Sequence, residues 1–233
     1  RITVDGKPID DPNKRSADVQ RCTDVAFEQA DIRFRFDNLE LKPRLNVTAW
    51  PNTIRYQRDP DSDALDHLVQ FRLYTNYAAF IDRAEVRLFE DGQSLRDTPL
   101  AVIPLDAGQG EWEADFAEHR APGRALQYLV RVYDRQGRFD ETGTQTLWVV
   151  DEVEDIEDEG RELLVGYGHN RLMVSNIPLS GGTIRVQGRQ VPDQRQVFVA
   201  GRPVPLSEEG EFVAEEFLPA GQHTVEVAVI DHE

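Results

Sequence analysis

The segment "DIRFRFD" (31–37) places Ile32, Phe34 and Phe36 on one side of an extended chain and Arg33 and Arg35 on the other. Strand side chains point alternately to opposite faces, so a period of two demands a sheet with one buried face. The pattern recurs in "RLNVTAW", with Leu45, Val47 and Ala49 on one face, and in "LVQFRLYT", "AEVRLFED", "AVIPL", "GEWEADF", "YLVRVYD" and "TQTLWVV". It returns in "ELLVGY", "RLMVSNI", "GTIRVQG", "QVFVAG", "EFVAEEF" and "HTVEVAVID". Gly, Pro, Asn or Asp separates many of these runs. Short strands without helical stretches between them specify an all-β fold of sandwich type rather than an alternating α/β fold. One helix is predicted, over "SADVQRCTDVAFEQA" (16–30), where Val19, Cys22 and Ala26 share a face.

The run "DEVEDIEDEG" (151–160) carries seven carboxylates in ten residues. Like charges at that density resist packing, so it is read as an acidic linker. The expected organisation is an N-terminal extension (1–30), a β-sandwich (31–150), the linker, and a second, smaller β-sandwich (161–233). The formal net charge is −17, and residues 151–233 hold seventeen carboxylates against six arginines. Such a surface repels nucleic-acid phosphates and anionic lipid, which argues against both as partners. No run approaches the roughly 20 apolar residues that span a bilayer, so no direct membrane insertion of this segment is expected. The one cysteine, Cys22, excludes a disulfide within the chain. Residue 1 is Arg and the only methionine is Met173, which predicts a removed signal peptide or a piece of a longer polypeptide.

The two halves repeat an order of signals. "AEVRLFEDGQSL", "GQGEWEADF" and "APGRALQYLVRVYDRQG" stand against "RQVFVAGRPVPL", "EEGEFVAEEF" and "PAGQHTVEVAVIDHE". Trp112 and Phe212 take the same place after Gly-Glu. In each half a glycine turn leads into the longest alternating strand, which ends in Asp (Asp134, Asp231), a side chain suited to bonding back to turn backbone. In the first half a further strand, "TQTLWVV", completes the unit. The second half stops before that point, so it is expected to be one strand short or to end on an open edge.

The pattern V-x-V-x-G-x-x-V, then G-x-F, then G-x-x-x-V-x-V-x-V-x-D over residues 182–231 resembles bacterial immunoglobulin-like domains. More widely, "DIRFRFDNLELKPRLNVTAWP", "TNYAAFIDRAEVRLFEDG" and "LVRVYDRQGRFDETGTQTL" are similar to the N-terminal periplasmic part of large bacterial outer-membrane proteins. There, immunoglobulin-like segments precede a β-barrel, sometimes beside an OmpA-type domain. The resemblance implies two immunoglobulin-like β-sandwiches in tandem, a periplasmic or cell-surface location associated with the outer membrane, and partners among other domains of the same protein or other envelope proteins. It implies no activity.

The strongest candidate for ligand chemistry is "RDPDSDALDH" (58–67). Asp59, Asp61 and Asp63 sit at alternate positions with Asp66 behind them, as in loops that converge on calcium. Pro60 in the second place, Ala64 where an EF-hand turns on Gly, and Gln70 in place of the closing Glu favour a solvated acidic loop. The five histidines (His67, His119, His169, His223, His232) form no zinc-type spacing. The serines of "VSNIP" and "PLSGG" match no nucleophile elbow. "GYGHN" (166–170) lacks the lysine and following helix of a phosphate loop. Trp50, Trp112, Trp148, Phe71, Phe89 and Tyr133 read as core, and Tyr128 as a tyrosine-corner residue. "YTNYAAF" (74–80) reads as packing at a sandwich end. The functional expectation is a non-catalytic structural or binding module without a cofactor. The alternatives are a carbohydrate-binding accessory module and a calcium-dependent adhesin repeat.

Overall fold

The structure is a computed structural model, and it describes residues 3–4, 7–8, 18–20, 31–37, 41–55, 68–113, 125–150 and 159–231. The chain forms two compact units. One comprises residues 44–75 and 81–177; the other comprises 1–43, 76–80 and 178–233. The first is therefore an insertion within the second, and we call them the inserted and the flanking unit.

Strands β1 (Thr3–Val4) and β2 (Lys7–Pro8) pair as a hairpin. β3 (Asp18–Gln20) pairs antiparallel with β4 (Asp31–Asp37), Val19 opposite Phe34. Residues 18–20 of the helix expected over 16–30 are thus strand, and the rest of that stretch lies outside the described residues. A partner strand overrides a weak helical periodicity that no cap or long apolar stripe supports.

The inserted unit starts at β5 (Leu45–Trp50) and β6 (Thr53–Arg55), then β7 (Leu68–Thr75). β8 (Arg83–Glu90), β9 (Ala101–Leu105), β10 (Gln109–Glu113) and β11 (Ala125–Tyr133) follow. β12 (Phe139–Thr142), β13 (Gln145–Val150), helix α1 (Glu159–Gly168) and β14 (Leu172–Val174) complete it. One sheet has the order β10-β7-β5. The other has the order β14-β12-β11-β13-β6, with β8 pairing β11 and β9 pairing β8. Only β13–β6 is parallel among these pairs. The alternation explains the layering. On β11, Leu126, Tyr128, Val130 and Val132 are buried on one face; on the other, Gln127, Arg131 and Tyr133 are half-buried and Leu129 is buried. Phe71 of β7 meets Tyr128 of β11 edge to face, ring centroids 5.4 Å apart, so the two sheets share one core.

The expected strand "ELLVGY" is instead the body of α1. A short apolar run does not by itself tell strand from helix. Here Leu163 and Gly166, one turn apart, are buried, while Leu164 and Val165 are exposed. Gly166 lets the helix touch the sheet: a Cβ at that position would lie 2.2 Å from the Tyr74 ring. Asn46 Nδ2 donates to Gly166 O (3.0 Å), which ties α1 to β5. The two ends of the insertion are also joined. Leu45 N–H donates to Asn170 Oδ1 (3.0 Å) and Arg171 N–H donates to Leu45 O (2.9 Å).

The flanking unit takes up again at β15 (Gly181–Arg189), β16 (Arg195–Val199), β17 (Arg202–Val204), β18 (Phe212–Pro219) and β19 (Val227–Asp231). Its sheets have the orders β18-β15-β4-β3 and β17-β16-β19. Ile184, Val186, Val197, Val199, Phe212 and Ala214 are buried. The Phe212 ring lies over Gly188, its cross-strand partner, where a Cβ would come within 2.3 Å of it. Residues 76–80 belong here, and Phe217 N–H donates to Asn76 O (2.7 Å).

Both units therefore follow one plan. β5, β7, β8, β9, β10 and β11 of the inserted unit correspond in order and pairing to β4, β15, β16, β17, β18 and β19. The division expected at 151–160 differs from the observed one. "DIRFRFD" pairs with β15 over seven residues and so completes the sheet of the C-terminal segment. Residues 161–177 pack with the inserted unit. Alternation fixes which face of a strand is buried, not which strand lies beside it.

Candidate recognition surface

The outward-facing residues of β8, β11 and β12 form the most organised side-chain cluster among the described residues. Register brings them together. Tyr133 lies between Arg83 and Phe139, and Arg131 lies between Glu85 and Glu141. The Arg83 guanidinium carbon stands 3.4 Å over the Tyr133 ring, and that of Arg131 stands 4.3 Å over Phe139. The Tyr133 and Phe139 rings are 6.1 Å apart. Tyr133 Oη donates to Glu85 Oε1 (2.9 Å), and Arg83 Nη1 reaches Glu85 Oε2 (3.1 Å). Arg131 binds Glu141 through Nε and Nη2, both 2.6 Å from Oε2. Burial works against charge on Arg131, but its bonds to Glu141 and Tyr133 outweigh that and hold its pKa above the ordinary arginine value.

Each guanidinium is thus fixed between a ring face and a carboxylate, an arrangement that costs little further ordering when a partner binds. Arg83 is the open member, with 57% of its side chain exposed, whereas Glu85, Arg131 and Glu141 are largely covered. Arg87 extends the row: its Nε lies 3.9 Å from Glu85 Oε1, without a hydrogen-bond partner among the described residues. Arg83, stacked on Tyr133 with Phe139 beside it, suits hydrogen bonding to carboxylates or carbonyls of a protein surface, while Arg87 and Arg131 are largely covered. They offer no nucleophile.

At the end of β11, Asp134 caps the turn that follows. Its Oδ1 accepts from Gln136 N–H and Arg138 N–H, both 2.9 Å, and its Oδ2 from Arg138 Nε at 2.7 Å. Burial raises its pKa, yet these donors bring it below the ordinary aspartate value. This is the bond back to turn backbone that "YDRQG" announced.

The acidic loop with Asp59, Asp61, Asp63 and Asp66 lies outside the described residues, as do His67, His119 and His232. Among the described residues no group of three or more His, Cys, Asp or Glu side chains is placed to hold a metal ion. His169 is exposed, and His223 Nε2 lies 2.6 Å from Pro219 O. Of the aromatics read as core, Phe71 and Phe89 are buried and Trp50 and Trp112 half-buried, but Trp148 is 50% exposed and Tyr133 belongs to the outer face. Tyr74 and Tyr77 are buried, so "YTNYAAF" is packing. Tyr128 is buried against Phe71. The outer-face cluster was not picked out from sequence. Its members sit in three separate runs, and only strand register makes them neighbours. The usable signal was an arginine, a glutamate or an aromatic at every outward position of "AEVR", "RVY" and "FDE".

Fold and surface define an all-β chain of two compact units on one strand plan. No protein-family model matches the chain, and no curated protein sequence matches it. No helix among the described residues is long and apolar enough to cross a membrane.

Proposed function

We propose that the chain is a non-catalytic structural and docking module of a bacterial cell-envelope protein, in the periplasm or at the cell surface. In this reading both units are immunoglobulin-like sandwiches, and they space and dock a larger outer-membrane-associated protein. The observation that carries it is the repetition of one strand plan, with one copy inserted in the other through ends bonded at Leu45, Asn170 and Arg171. In this reading the duplicated units serve reach and contact. The ordered face around Arg83, Arg131 and Tyr133 serves as the docking surface, with other domains of the same protein or other envelope proteins as its partners.

The test is site-specific photocrosslinking in the source bacterium, with a photoreactive residue at Arg83 and, as control, at exposed Glu209. Crosslinks from position 83 to one envelope protein, lost on Tyr133→Ala, are the expected result. Recovery of the protein in the cytoplasm alone, or identical crosslinks from both positions, overturns the proposal.

A further inference from the structure

We draw no further inference here: the strongest candidate, the outer face of β13 and β11 around half-exposed Trp148, where Gln127 Nε2 donates to Thr146 Oγ1 (3.4 Å), is an unpartnered sheet face, and nothing in the structure shows what covers it.

Discussion

Asp140 is fully buried on β12, and its Oδ1 accepts from Asn176 N–H (2.6 Å) and Ile177 N–H (2.8 Å), where the chain leaves the inserted unit. Asn176 Nδ2 returns a bond to Phe139 O (3.0 Å), so one carboxylate pins the whole crossing. Asp140→Ala removes two bonds to a charged acceptor and leaves the buried Ile177 N–H without its partner. At about 1.5–3 kcal/mol for each such bond, the loss is about 3–6 kcal/mol. Asp140→Asn keeps an acceptor oxygen and costs about 1–2 kcal/mol by the same reasoning. Trp50, Trp112 and Trp148 all lie in the inserted unit, so tryptophan fluorescence in a urea titration reports this unit alone. With a denaturant slope of about 2 kcal/mol per molar, the midpoint falls by roughly 1.5–3 M for Ala and by about 0.5–1 M for Asn. A shift below about 0.3 M for Ala, or an Asn variant as damaged as Ala, would refute the clamp.

Glu216 is buried, its pKa raised from 4.5 by burial and lowered in part by Arg202 at 2.5 Å. A carboxyl that holds its proton more tightly folded than unfolded makes stability fall as pH rises from about 4.5 through the folded value. Thermal melts of wild type and Glu216→Gln should therefore diverge across that window, and parallel curves would count against it. Gly166→Ala forces a methyl to within 2.2 Å of the Tyr74 ring and should cost about 1–3 kcal/mol by urea titration; an unchanged midpoint would mean α1 moves freely. Millimolar calcium should leave the melting temperature unchanged. A rise abolished by Asp61→Ala with Asp63→Ala would favour the adhesin alternative.

Local features were the legible ones. The alternation of "YLVRVYD" announces both the buried face of β11 and, in Asp134, the cap of its turn, because both depend on neighbours in sequence. "DIRFRFD" shows the opposite limit. Its two faces are plain, yet its partner lies beyond an entire inserted unit, and no pattern within seven residues encodes that choice. "ELLVGY" was ambiguous because its apolar run fits either period, and the deciding contact, Gly166 on Tyr74, is tertiary. Arg83, Arg131 and Tyr133 each read as ordinary outward residues, and their mutual stacking exists only once β8 and β11 are in register.

The insertion also sets an order of events during synthesis. Asp37 pairs with Thr183, so β4 leaves the ribosome 146 positions ahead of its partner. At about 5–20 residues per second that is a wait of roughly 7–30 s. The inserted unit has time to fold meanwhile, and the Leu45–Arg171 bond then short-circuits the chain. The loop to be closed shrinks to about 20 links, which lowers its entropic cost by about 1.8 kcal/mol. A fold with one of its longest-range strand pairings at the base of one sheet thus becomes kinetically local, with the inserted unit acting as a splint for the unit that surrounds it in sequence.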